Sequence, residues 1–276
     1  MYKQEAENKQ QSSNLIRLVL SDLDGTLLND EKQVTANTIS AIKRMRQDGY
    51  LFGIATGRPY EVVKERIVEW RIDKLCDVGI FDNGAVIFNK EKVIKKRDVF
   101  LSNEDIQFLI ALFSGRDIGI GIHEDGLCAQ QIHPLMKRLL ISHHGYFRRI
   151  DFKKHVFTHA TKFLVFTEDY MDEMKMIGKK YAERFLFMQT DDYIFEVVHK
   201  KNNKLEGLKE LLKDMNLNLE NVLMFGDGEN DRSLLLASGI SVCMKNGVEE
   251  VKQIADEITK SNNEEGVAWF IENKIL

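Results

Sequence analysis

Asp22 and Asp24 stand two apart in the run Ser21-Asp22-Leu23-Asp24-Gly25-Thr26. Residues two apart on a strand point to the same side, so these two carboxylates would project together. Carboxylates that close repel unless a cation or a shared proton compensates. A calcium loop of the EF-hand kind needs glycine at its sixth place, where Leu27 stands, so that reading fails. Asp227, Glu229 and Asp231 alternate in the same way, but Arg232 occupies the place of their glycine. The three cysteines, Cys76, Cys128 and Cys243, lie too far apart for a CxxC zinc pair and are too few and odd for a disulfide framework. Clustered aspartates without Cys or His partners favour a hard cation such as Mg2+.

Such acids do chemistry only if the chain brings them together. Leu15 to Leu20 is a short apolar run ending abruptly in polar residues, the pattern of a strand buried on both faces. Ile39, Ile42 and Met45 then recur at helical spacing, with Gly49 as the stop, and the apolar run Tyr50 to Ala55 ends at Thr56-Gly57-Arg58-Pro59. This is a βαβ unit with its polar residues at the carboxyl ends of the strands, the edge where open α/β sheets bind ligands. Near the other terminus Leu208, Leu211, Leu212 and Met215 predict an amphipathic helix just after Lys204. Val222 to Phe225 then runs into Gly226-Asp227-Gly228-Glu229-Asn230-Asp231. A strand at 240–243, a helix at 248–255 and a terminal helix around 266–273 follow. Four strand ends thus offer Asp22/Asp24, Thr56-Gly57, Asn83-Gly84 and Asp227/Asn230/Asp231. A hydroxyl, an ammonium and glycine-exposed amides beside a metal make a pocket for a dianion, and phosphate fits best.

The middle of the chain follows another pattern. Ala85–Phe88 and Val93-Ile94 predict a hairpin, Ser102 with Asp105 a helix start, and Ile118, Ile120 and Ile122 a period-two strand. A strand at 163–166, a helix over 170–181 and a strand at 193–198 complete it. The expected fold is α/β: a Rossmann-like parallel-sheet core at 15–83 and 197–276, with an inserted α+β domain at 84–196 and a flexible tail at 1–14.

Composition limits the function. With 39 Lys plus Arg against 43 Asp plus Glu, the 276 residues carry a net charge of −4, which speaks against a nucleic-acid binder. No apolar run approaches the roughly 20 residues a membrane helix needs, and Met1–Asn14 lacks a secretory pattern. A cytoplasmic protein without a membrane or nucleic-acid partner is expected; the sequence leaves the oligomeric state unknown.

Together the motifs resemble the haloacid dehalogenase superfamily, and within it the Cof-like phosphatases with a type IIB cap. The matching stretches are DLDGT at 22–26, ATGR at 55–58, NGA at 83–85, Lys204, GDGEND at 226–231 and NNEEGVA at 262–268. The resemblance implies that Asp22 is a nucleophile forming an aspartyl-phosphate and that Asp24 serves as general acid and then base. It implies Mg2+ held by Asp22, the Asp24 carbonyl and Asp227, and phosphoryl oxygens gripped by the Leu23 and Gly57 amides, Thr56, Lys204 and Asn230. Asp231 would orient Lys204 or a metal-bound water. The cap would select the substrate, a small phosphorylated metabolite such as a sugar phosphate or a phosphorylated cofactor. Leu205 follows Lys204 where relatives often carry glycine, which leaves Lys200 or Lys201 as alternates. The second aspartate favours phosphoryl transfer, since a halide leaving group needs no acid. A phosphomutase or phosphotransferase, or a non-catalytic binder of a phosphorylated ligand, are the rival functions.

Arg58, Asn83, Gly84 and His123 are candidate substrate contacts. His123-Glu124-Asp125-Gly126 reads either as a substrate-facing turn or as a hydrophilic hairpin tip. His155 and His159 have the spacing of a helical metal pair, but Phe157, Thr158 and Thr161 make poor helix, so they read as surface histidines. Lys95-Lys96-Arg97 and Arg148-Arg149 with Lys153-Lys154 read as solvated faces, and Met171, Met174 and Met176 as core filler.

Overall fold

The computed structural model describes residues 16–90, 92–142 and 147–276; the expected tail at 1–14 lies outside the described residues. Two compact units form, one from the residues up to Arg97 together with Asn203–Leu276, the other from Asp98–Asn202.

The first unit is built on a sheet of strands β1 (Leu18–Ser21), β2 (Leu51–Ala55), β3 (Val78–Phe81), β4 (Val86–Asn89), β5 (Lys92–Lys96), β12 (Val222–Gly226), β13 (Ile240–Cys243) and β14 (Glu257–Ile258). Their order is β14-β13-β12-β1-β2-β3-β4-β5. Strand β1 is central, paired in parallel with β2 on one side and with β12 on the other, Leu18 opposite both Leu51 and Val222. Alternation buries both faces. Val19, Phe52, Ile54, Leu223 and Phe225 enter one apolar cluster with α1 (Ala36–Gln47), while Leu18, Leu20, Val222 and Met224 enter another with α6 (Lys204–Met215) and α7 (Arg232–Ala237). Helix α1 is capped by Thr35, whose side chain accepts from the Thr38 amide, and buries Ile39, Ile42 and Met45 as their spacing predicts.

The second unit carries a six-stranded sheet in the order β10-β11-β9-β6-β7-β8. These are β6 (Gly119–His123), β7 (Leu127–Ala129), β8 (Phe147–Arg149), β9 (Lys162–Phe166), β10 (Phe185–Asp191) and β11 (Ile194–His199). Helices α3 (Asn103–Phe113) and α5 (Met171–Lys180) pack on it through Ile106, Leu109, Phe113, Met174 and Ile177. Ser102 and Asp105 form a reciprocal capping box at the start of α3.

Several expectations shift. The insertion foreseen at 84–196 is displaced, because β4 pairs antiparallel with β3 from Val78↔Asn89 to Phe81↔Val86 and so extends the first sheet. Helices α2 (Tyr60–Glu69) and α4 (Pro134–Ser142) were not foreseen. The helix expected at 248–255 is only α8 (Glu249–Lys252), and the terminal one is α9 (Gly266–Phe270) continued by a π turn over Ile271–Ile275. Arg97 is no solvated cation: it pairs with Glu210 at 2.9 Å and donates to the Gly84 carbonyl at 3.0 Å. Met176 is 64% exposed and fills no core, unlike Met174.

Candidate active site

Three strand ends converge. Asp22 leaves the end of β1, its amide donating to the Phe225 carbonyl at 2.9 Å. Thr56 follows β2 and is stitched to β3 by a 2.8 Å bond from its amide to the Ile80 carbonyl. Asp227 follows β12. The loop after β1 turns back at once, Leu27 donating to the Asp22 carbonyl at 3.3 Å and Leu28 to that of Leu23 at 2.8 Å. Gly25 makes this turn with φ +77°, and a Cβ there would run into the Asp227 carboxylate. Asn262 of the late motif secures the same loop, its Nδ2 donating to the Leu28 carbonyl at 3.1 Å, and Asn246 Nδ2 donates to that of Gly25 at 2.7 Å.

Lys204 arrives from the other side of the sheet. Asn203 caps α6 by accepting from the Glu206 amide at 2.9 Å. The turn Asp82-Asn83-Gly84 lies against that helix start, where Gly84, with φ +106°, passes so close that a Cβ would strike the Asn203 carbonyl. Lys204 is 1% exposed. Its Nζ donates to Asp22 Oδ1 at 2.6 Å and to Asp231 Oδ1 at 2.7 Å. Asp231 Oδ2 accepts from the amides of Asp227 at 3.1 Å and Gly228 at 3.2 Å, so both of its oxygens are engaged. Lys204 is thus the lysine that joins these acids, while Lys200 pairs with Glu183.

Ligand oxygens of Asp22, Asp227 and Asp231 lie within 4.8 Å of one another. Three carboxylates against one ammonium leave an excess of two negative charges, which a divalent cation would neutralise. Burial raises the Asp22 carboxyl well above its ordinary range; Lys204 opposes this, and the charges of Asp231 and Asp227 reinforce it. Asp227 is pushed up to about 6, first by burial and then by Asp231. Burial disfavours the Lys204 ammonium, yet Asp22 and Asp231 outweigh it and raise its pKa. A pocket that makes its acids reluctant to ionise is suited to an oxygen-seeking cation, and the donors are of the hard type Mg2+ prefers. The all-oxygen donor set fits that ion.

The Asp24 carboxylate is not part of this trio. Arg58 holds it by both oxygens, Nε to Oδ2 at 2.6 Å and Nη2 to Oδ1 at 2.7 Å, and Lys32 Nζ adds a third bond to Oδ1 at 2.8 Å. Burial alone would raise this carboxyl, but Arg58 and Lys32 bring it down to about 2. Arg58 therefore touches a candidate catalytic carboxylate directly. Thr56 is buried with its hydroxyl accepting from the Arg58 amide at 3.1 Å, and Gly57 approaches the buried Asn83 side chain. Asn230 folds over Gly228, while the Leu23 side chain is wholly buried in the core.

Sequence reasoning missed Thr26, whose Oγ1 donates to Asp227 Oδ1 at 2.7 Å; its place after Asp22-Leu23-Asp24-Gly25 was the available signal. It also missed Lys32, whose Nζ donates to Asp24 Oδ1. His123 belongs to the second unit, where its Nδ1 meets Thr161 Oγ1 at 3.1 Å. The neighbouring Glu124 is no hydrophilic tip: it is 3% exposed and accepts from His155 Nε2 at 2.6 Å and the Thr158 amide at 2.7 Å. His159 meets Asp125 at 2.8 Å. His159 also donates its amide to Glu124 Oε1 at 3.1 Å, so both histidines meet this buried acid.

The sequence pattern of the haloacid dehalogenase-like hydrolases matches residues 19–271. The chain belongs to this family. This haloacid dehalogenase-like hydrolase is 27% identical over 95% of its length to a putative phosphatase of Streptococcus pyogenes, of which it covers 99%. It is 26% identical over 92% of its length to a 5-amino-6-(5-phospho-D-ribitylamino)uracil phosphatase of Bacillus subtilis, covering 96% of that protein. Among solved structures, a subclass IIB sugar phosphatase of the superfamily superposes with a TM-score of 0.83, at 23% identity, over 94% of this chain and all of the other. That likeness shows the α/β fold. No helix among the described residues is long and apolar enough to cross a membrane.

Proposed function

We propose that this hydrolase is a Mg2+-dependent phosphatase that removes phosphate from a small phosphorylated metabolite through an aspartyl-phosphate. The observation carrying the proposal is the buried Lys204 bridging Asp22 and Asp231, with Asp227 beside them. Asp22 carries the reaction. Lys204 orients its Oδ1, and Oδ2, which accepts no hydrogen bond among the described residues, is open for attack on phosphorus. As the new P–O bond forms, the bond to the leaving alkoxide breaks; Arg58 and Lys32 hold Asp24 ionised in the free enzyme, so to serve as general acid it must first take up a proton, which it then passes to the alkoxide. In the second half Asp24, as carboxylate, takes a proton from water, which attacks phosphorus and frees Asp22 and inorganic phosphate.

Asp22, Asp227 and the Asp24 carbonyl would hold Mg2+, which supplies neutralisation of the charge on the phosphoryl oxygens. The Lys204 ammonium, Thr56, Asn230 and the amides of Leu23 and Gly57 would bind those oxygens, and Asp231 would keep Lys204 in place. Phosphoryl transfer leans on such positioning and electrostatics because its transition state spreads charge over peripheral oxygens. We assign substrate selection to the 98–202 unit, with His123, and with Arg58, Asn83 and Gly84 as further candidate contacts. The names of the relatives favour a sugar phosphate or a phosphorylated cofactor precursor.

The test is a phosphate-release screen over phosphorylated metabolites, with Mg2+ or with chelator. Asp22→Asn, which removes the nucleophile and keeps the shape, should abolish release. If the variant hydrolyses as fast as the parent, or chelator has no effect, the mechanism is wrong. Transfer of phosphate to an added alcohol in preference to water would favour a phosphotransferase instead.

A further inference from the structure

The tight turn Asp82-Asn83-Gly84, between β3 and β4, has left-handed backbone at three residues in a row: φ is +50° at Asp82, +55° at Asn83 and +106° at Gly84. At the first two a Cβ crowds the backbone, and such strain persists only where the surroundings impose it. Both residues are buried, and they are held from two sides. On one side the Asp82 amide donates to the Arg58 carbonyl at 3.0 Å and the Asn83 amide to the Thr56 carbonyl at 3.3 Å. The Asn83 side chain lies against Gly57, where a Cβ would come within 2.9 Å of its Oδ1. On the other side Gly84 packs backbone to backbone on the first turn of α6, so that a Cβ on Gly207 would come within 2.9 Å of the Gly84 Cα. Arg97 clasps this packing by joining the Gly84 carbonyl to Glu210 of α6.

We propose that this left-handed turn is a strap that fixes the loop carrying Thr56 and Gly57 relative to Lys204, with Asn83 as its positioning residue. This rests on the reading of Thr56, the Gly57 amide and Lys204 as the groups that bind one phosphoryl group. Thr56 follows β2 and Lys204 begins α6, so their separation is set by whatever joins those two elements, and the strap is bonded to the first and packed on the second. The spacing matters because a shift of about 1 Å in a binding group can cost roughly 10²-fold in rate. Asparagine suits the middle of the strap because it tolerates left-handed backbone better than most residues that carry a side chain. The role is distinct from a direct substrate contact: it acts through the main chain, and bare phosphate feels it.

The test measures by calorimetry the binding of Mg2+ alone and of inorganic phosphate in the presence of Mg2+. Asn83→Val puts a β-branched side chain where φ is +55°, a conformation such residues adopt only as outliers. It should weaken phosphate binding about tenfold, the equivalent of the cost of one left-handed residue. Asn83→Gly adopts that backbone freely and should stay within about threefold of the parent. Mg2+ affinity should be unchanged in both, since Asp22 and Asp227 leave β1 and β12. Asn83→Ala, with a single Cβ, should weaken phosphate binding in the same sense and keeps the test decisive if Asn83→Val fails to fold. Asn83→Gly as weak as Asn83→Val, or phosphate and Mg2+ affinity lost together, would overturn the strap. So would a raised KM on sugar phosphates with inorganic phosphate binding unmoved, which would mark Asn83 as a substrate contact. Equal phosphate affinity in the parent and Asn83→Val sinks the strap alone; a parent that binds no phosphate beside Mg2+ sinks the phosphatase reading and the strap with it.

Discussion

Replacing Lys204 by Met keeps a similar stem in place and removes only the ammonium. In the parent, that ammonium lies 2.6 Å from Asp22 and 2.7 Å from Asp231, and all three groups are buried. Deleting one partner of a buried ion pair costs roughly 3–5 kcal/mol, because the other charge is left without compensation. Here two carboxylates are stranded together, so the larger figure applies until one of them takes up a proton. Each pKa unit of forced protonation is worth about 1.36 kcal/mol. The unfolding free energy of the first unit should therefore fall by about 3–5 kcal/mol at pH 7.5. The loss should be smaller at pH 5, where Asp22 protonates more readily and the repulsion it causes disappears. Urea unfolding followed by tryptophan emission measures this directly, since both tryptophans, Trp70 and Trp269, lie in the first unit. Phosphate release should be lost in parallel. A midpoint unchanged from the parent, or a deficit that grows as pH falls, would refute the view that Lys204 is the counter-ion holding these acids together.

Two pH predictions follow from the buried groups. Asp227, at about 6, must be ionised to bind Mg2+, so protons compete with the metal below that pH. Calorimetry should find binding about tenfold weaker at pH 5 than at pH 7.5, and pH-independent affinity would contradict the ligand assignment. In the second unit, burial and then Lys162 hold the His123 imidazole down to about 4, whereas unfolded it titrates near 6.5. Between those values the unfolded chain binds the extra proton, so the stability present above pH 6.5 is lost as pH falls toward 4. The contribution is about 2 kcal/mol at pH 5. His123→Gln should lose less stability than the parent between pH 7.5 and 5, as read by urea midpoints of the second unit from far-UV dichroism. Parallel curves would show that His123 is not the group responsible.

The carboxylate cluster was legible in the sequence because each of its members follows a short apolar run cut off by glycine, and parallel sheets place such ends along one edge. Lys204 was legible as the first residue of an amphipathic helix. Helix α2 was not, because it buries little beyond Val63 and so shows no apolar stripe. The hairpin of β4 and β5 was seen but assigned to the wrong unit, since alternation says that a strand has two faces and nothing about which sheet it joins. Glu124 read as a turn residue because acids are usually solvated, yet His155 and two backbone amides hold it inside. The Trp70–Lys32 bond spans 38 residues and leaves no local pattern at all.

The central place of β1 has a consequence for how the molecule is made. This strand is synthesised first, yet one of its two neighbours, β12, begins about 200 residues later at Val222, and the loop that follows it is tied by Asn262. On a ribosome emitting the chain from its amino end, β1 waits with one edge unpaired, while Asp98–Asn202, contiguous in sequence, can close on itself at once. Nascent chains cut short of Val222 would carry an open apolar edge, the kind of surface that recruits chaperones or aggregates.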